Sequence, residues 1–142
     1  MICDIKFSSS INHQKILEYG SFLYSKLNTA KNLDFHDAII CGEKAKIKEC
    51  HKNARYFCMD NPSFELVHGW LVIDARPILN SIKFIAHSVV KSPEGELLDV
   101  TPVESLDPRP FLIASLDNDC FEEFVSWLHE NNLNGIFNYQ IK

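Results

Sequence analysis

The chain has 142 residues, 46% of them hydrophobic and 11% aromatic, with a formal net charge of −5. That length holds one domain with its own core, and the apolar share excludes an intrinsically disordered chain. The acidic balance, with a single basic run at residues 44–52 that Glu49 interrupts, argues against nucleic acid as a partner.

The opening Met1-Ile2-Cys3-Asp4-Ile5-Lys6 lacks the charged start, apolar middle and small cleavage residues of a signal peptide. Ser8-Ser9-Ser10 offers N-cap hydroxyls, and Ile16, Tyr19, Leu23 and Leu27 follow at helical spacing. Together they predict a first helix, which Gly20 weakens without forbidding. Residues 28–37 are polar and read as a loop, and Ala38-Ile39-Ile40-Cys41 as a short apolar turn. Ile47, Cys50, Ala54 and Phe57 then predict a second helix with Cys50 on its inward stripe. Proline restricts the residue before it, so this helix should stop ahead of Asn61-Pro62.

From Phe64 the period becomes two, with Phe64, Leu66, His68, Trp70 and Val72 on one strand face and Val67, Leu71 and Ile73 on the other. Further strands are predicted at residues 82–91, 96–100 and 111–115. Asp117 to Asp119 can cap a last helix through Phe121, Phe124, Val125 and Leu128, and residues 137–141 read as an edge strand. No repeat, low-complexity stretch or linker divides the chain, so residues 1–142 are expected to form a single domain. Helices followed by an antiparallel meander predict an α+β fold, with N-terminal helices packed on an antiparallel sheet.

The segment from Ala86 to Pro102 carries the most chemistry, with His87 on one predicted strand and Asp99 on the next. If the loop is Glu94-Gly95, Val90 faces Asp99 and His87 falls on the opposite sheet face. If it is Pro93-Glu94-Gly95, Ser92 pairs with Glu96, Val89 with Asp99 and His87 with Thr101. His87 and Asp99 then share a face as diagonal neighbours, roughly 6–8 Å apart at Cα. Residue chemistry favours the three-residue loop, because proline suits the first central position of a type I turn and glycine the αL bulge after it. Cys50 lies upstream in Glu49-Cys50-His51-Lys52-Asn53, completing a Cys-His-Asp set in which a carboxylate orients an imidazole that activates a thiol.

With Cys50, His87 and Asp99-Val100-Thr101-Pro102 in that order, the chain resembles the papain-like superfamily of cysteine enzymes, and most closely its transglutaminase-like branch. The string Cys-His-x-Asn, Gly69-Trp70, His-Ser-Val-Val and Asp-Val-Thr-Pro is also similar to small bacterial proteins of no assigned function. The resemblance implies a papain/transglutaminase-like core and acyl transfer at an amide-like bond: hydrolysis, deamidation or transamidation. It implies Cys50 as nucleophile, His87 as acid/base and Asp99 as the group that holds His87. The implied substrate is a protein or peptide amide, or a small amide, and no cofactor is implied. Two features depart from the pattern. His51 stands where transglutaminases often place a tryptophan, and no upstream glutamine presents itself as an oxyanion donor.

His51, Asn53, His68 and Trp70 are the candidates for substrate contact. Each also has a structural reading: His51 and Asn53 solvated or bound to local backbone, His68 in a half-buried face, Trp70 in the core after a flexible Gly69. No metal site is expected, since Cys41, Cys50, His51, Cys58 and His87 match no zinc spacing and neighbouring Cys50 and His51 diverge on a helix. Five cysteines (Cys3, Cys41, Cys50, Cys58 and Cys120) at irregular intervals make no disulfide framework. With no apolar run near the roughly 18 residues of a membrane span, a cytoplasmic protein with no membrane partner is expected. The rival reading is a non-enzymatic binding or immunity-type interaction protein, either a papain-like fold without its chemistry or an unrelated α+β module. The sequence leaves the oligomeric state undetermined.

Overall fold

Asn12 opens the first helix. In the computed structural model, which describes residues 11–46, 48–102 and 109–141, its side chain accepts from the Lys15 N–H at 2.9 Å and caps α1 (His13–Ser25). The serines at 8, 9 and 10, expected to serve as caps, lie outside the described residues. Gly20 has a packing reason to be glycine. A Cβ there would sit 2.7 Å from the Tyr139 ring, so its absence lets the helix lie close to the C-terminal strand.

The segment read as loop and turn holds more order than its composition suggests. After a 3-10 turn at Leu27–Thr29 come β1 (Asp34–Phe35), β2 (Ile39–Ile40) and β3 (Glu43–Lys44). β2 and β3 form a small antiparallel pair around Cys41 and Gly42, whose φ angles of 53° and 81° suit a two-residue hairpin. α2 (Cys50–Asp60) ends as expected, the Phe57 carbonyl in its last turn accepting from both the backbone N–H and the side-chain amide of Asn61. Ala54 and Phe57 of α2 pack with Ala38, Ile40, Val90 and Val100 in a local apolar cluster. Ile47, assigned to the same stripe, lies outside the described residues.

The period-two stretch becomes β4 (Glu65–Asp74), followed by the short α3 (Arg76–Leu79) and β5 (Ser81–Lys91). β4 and β5 pair antiparallel from Glu65 opposite Lys91 to Asp74 opposite Ile82, which makes them the spine of the fold. β6 (Leu97–Asp99), β7 (Phe111–Ile113), α4 (Asn118–Glu130) and β8 (Ile136–Gln140) follow. The main sheet runs β1-β6-β5-β4-β7, with β8 also on β5. The expected sheet was antiparallel throughout; it is mixed, because β1 runs parallel to β6, with Asp34 opposite Leu98 and Phe35 opposite Asp99. The molecule is therefore a mixed α+β fold.

The face bearing Trp70, Val72, Ile82 and Phe84 is covered by Tyr19 and Leu23 of α1 and by Phe121, Phe124 and Leu128 of α4. Burying aromatic and aliphatic side chains on this scale is the main stabilising term of the fold. α4 is capped by the Asp117 carboxylate, which accepts from the Cys120 N–H at 2.7 Å. No helix among the described residues is long and apolar enough to cross a membrane.

One feature of the sheet positions the site. β8 pairs with β5 only from Ser81 to Ile85, and β6 only at Val90 and Lys91. Between them, among the described residues, the edge of β5 has no strand partner, and the Ala86 N–H donates to the Gly135 carbonyl. His87 and Ser88 sit in that gap.

Candidate active site

The β5–β6 hairpin adopts the three-residue loop. Ser92 N–H donates to Glu96 O at 2.8 Å, Gly95 N–H donates back to Ser92 O at 2.9 Å, and Gly95 has a φ of 89°. Val90 pairs with Leu98 and Lys91 with Leu97, a register that sets Val89 opposite Asp99 and leaves His87 diagonal to it. The pair meets: His87 Nε2 lies 2.8 Å from Asp99 Oδ2, with the two side chains only 9% and 13% exposed. The other carboxylate oxygen, Oδ1, accepts from the Thr101 N–H at 3.0 Å. Asp99 thus caps its own turn and holds the histidine with the same group.

A second restraint on His87 comes from β4. Gly69 is paired with His87, and a Cβ on Gly69 would fall 2.4 Å from both the Leu112 carbonyl and the Phe111 ring. Gly69 is therefore a spatial requirement rather than a point of flexibility. Its bare backbone admits the Phe111 ring, whose centroid lies 6.2 Å from that of His87 at 67°. Neither Gly69 nor Phe111 stood out as a site residue, because their role exists only once β4 is flanked by β5 and β7.

Cys50 is the first residue of α2 and is half-buried. Glu49 provides no side-chain cap, so the first N–H groups of the helix present their partial positive charge next to the sulfur. Burial pushes the thiol pKa up, but hydrogen bonds from His51 and His87, together with the charge of His87, outweigh it and bring it down to about 5. Burial likewise pulls His87 down, and the contacts with Asp99 and Cys50 outweigh that and raise it to about 9. Near neutral pH the pair is a thiolate beside an imidazolium. Cys58 contrasts with it, its thiol pushed up by burial and by the Glu65 charge. Because Nε2 of His87 is taken by Asp99, Nδ1 is the ring atom left for the sulfur.

The remaining candidates separate. His51 was expected to be solvated or to contact substrate, diverging from Cys50; instead it interacts with the sulfur and reaches the sheet, its Nδ1 2.5 Å from Ser88 Oγ. Asn53 is buried and braces the loops around the site. Both of its amide N–H groups are used, donating to the Lys46 carbonyl at 2.7 Å and to Thr101 Oγ1 at 3.0 Å, and Oδ1 accepts from the Lys46 N–H at 3.4 Å. His68 is 5% exposed, stacked on Phe121 at 4.5 Å, with Nδ1 2.7 Å from the same Ser88 Oγ. Burial above all, together with the charge of Arg55, lowers its pKa to about 4. Trp70 is fully buried, its indole N–H donating to Tyr19 Oη at 2.8 Å, so it belongs to the core and offers no surface for a ligand.

Among the described residues no three His, Cys, Asp or Glu side chains converge as a metal site. Comparison with family models, with curated proteins and with solved structures found no match.

Proposed function

We propose that the protein is a cysteine-dependent acyl-transfer enzyme acting at an amide-like bond, with Cys50 as nucleophile, His87 as acid and base, and Asp99 as the group orienting His87. The observation that carries this reading is the chain Cys50–His87–Asp99, in which one imidazole bridges a half-buried thiol at a helix start and a carboxylate held by two hydrogen bonds. A structural histidine needs one partner; this one has a nucleophile on one side and an acceptor on the other. A helix carrying the cysteine at its N-terminus, followed by strands carrying histidine and then aspartate, also supports a papain- or transglutaminase-like arrangement of the core.

In this mechanism the Cys50 thiolate attacks the carbonyl carbon, forming a C–S bond while the carbonyl oxygen takes the negative charge. The uncapped N–H groups at the start of α2 are the donors available to that oxygen. As the C–N bond breaks, His87 gives its Nδ1 proton to the departing amine, and Asp99 keeps the ring oriented throughout. His87, now neutral, removes a proton from water or an acceptor amine, which attacks the thioester and expels the thiolate. The substrate is a peptide or protein amide, or a small amide.

The test is turnover of a panel of peptide amides and activated esters by the wild-type protein, by Cys50→Ala and by His87→Ala. The expected result is turnover lost in both variants while the fold is retained. Wild-type protein that forms no thioester with any acyl donor would leave the scaffold as a non-enzymatic binding module.

A further inference from the structure

Ser88 is fully buried, and its single hydroxyl stands between two imidazoles, 2.5 Å from His51 Nδ1 and 2.7 Å from His68 Nδ1. A hydroxyl has one proton and two lone pairs, and a fully buried one spends its proton on an acceptor; with the two rings as its partners, Ser88 donates to one and accepts from the other. The choice is set at the far end. His68 Nε2 is buried with no hydrogen-bond partner among the described residues. An orphaned buried N–H is rarer in proteins than an under-satisfied acceptor. The proton of His68 therefore sits on Nδ1 and points at Ser88. Ser88 then donates to His51 Nδ1, which puts the His51 proton on Nε2, the ring nitrogen that Ser88 leaves free for the interaction with Cys50.

Resting on the acyl-transfer reading, we propose that His51 is a second catalytic imidazole, locked by a His68–Ser88 relay so that its Nε2–H donates to the Cys50 sulfur. The two histidines at the sulfur then have different duties. His87 shuttles the proton between sulfur, leaving group and water. His51 keeps its proton and stabilises the anionic sulfur in the ground state, and again when the C–S bond breaks in deacylation and sulfur departs with the electron pair. Ser88 and His68 are positioning residues, since they act only through His51. The groups facing the sulfur are His51 from its own helix and His87 from β5, with Asp99 behind His87; Arg55 and His51 face His68. His68 stays neutral because burial opposes its charging, which is what a fixed donor at the end of a relay requires.

The experiment has two parts. ¹⁵N NMR of the histidine side chains in the wild-type protein near pH 7 reports tautomers directly, with His51 expected to carry its proton on Nε2 and His68 on Nδ1. Alkylation of Cys50 by iodoacetamide is then followed against pH, by peptide mass spectrometry, in wild type, Ser88→Ala and His51→Phe. The midpoint is expected to rise from about 5 by about one pH unit or more in each variant, as befits loss of a hydrogen bond to a charged group. A wild-type His51 protonated on Nδ1 alone, or midpoints unmoved in both variants, would overturn the proposal. Neither readout needs turnover. A protein with no acyl-transfer activity whose thiolate still depends on His51 refutes the enzymatic reading and leaves the relay standing. Turnover and alkylation both indifferent to His51 do the reverse.

Discussion

Replacing Asp99 with asparagine isolates what the carboxylate does to His87. The amide is nearly isosteric and can still accept from the Thr101 N–H, so the turn survives while the negative charge 2.8 Å from His87 Nε2 is removed. Unit charges about 4 Å apart at an effective dielectric near 20 attract by about 4 kcal/mol. Both side chains are mostly buried, at 9% and 13% exposed, so solvent screens only part of that. A loss of roughly 2–3 kcal/mol is expected, which at about 1.4 kcal/mol per pH unit lowers His87 from about 9 to about 7. The thiolate–imidazolium pair is then partly lost at pH 7, and Cys50 alkylation slows. An NMR titration of the His87 ring, run beside the alkylation rate, measures both. A His87 midpoint still near 9 in Asp99→Asn would show that the carboxylate is not what holds the proton and would refute the reasoning.

Cys50 carries its charge above about pH 5 and His87 its proton below about pH 9, so acyl transfer should be flat between those limits and fall on both sides. A kcat/KM profile with a single limb near pH 9, the ordinary thiol range, would contradict the pairing. Gly69→Ala forces a Cβ against the Leu112 carbonyl and the Phe111 ring, which should cost roughly 1–3 kcal/mol in urea unfolding and shift the His87 resonances; unchanged stability would mean β7 yields freely there. Asn53→Ala leaves the Lys46 carbonyl and Thr101 Oγ1 short of a donor and should destabilise by about 1–3 kcal/mol, read by thermal denaturation.

What could be read before the fold was known was whatever rests on local chemistry. Pro93 and Gly95 dictate a three-residue loop, and the loop dictates that His87 and Asp99 share a face. Asn61-Pro62 ends α2 for an equally local reason. The two-residue strands β1 to β3 are too short to show any period, and the parallel pairing of β1 with β6 joins segments with no local signal between them. His51 was misplaced by a sound rule applied at the wrong site. Adjacent helical residues do diverge, but at the first turn of α2, beside the open edge of β5, one side chain reaches His87 and the next reaches Ser88. Ser88 became a site residue only through the β4–β5 register, which sets it directly opposite His68. The burial of Trp70 and His68 depended on which sheet face α1 and α4 would cover, and neither strand states that alone.

The most direct measurement of the proposed chemistry is the mass of the covalent intermediate. The protein is mixed at pH 7 with a slowly deacylating activated ester, quenched in acid and mapped by peptide mass spectrometry. A single acyl group on Cys50 is expected, formed far faster than on the exposed Cys41 and abolished by His87→Ala. Acylation spread over the cysteines according to exposure, or unaffected by loss of His87, would contradict a Cys50–His87–Asp99 nucleophilic site.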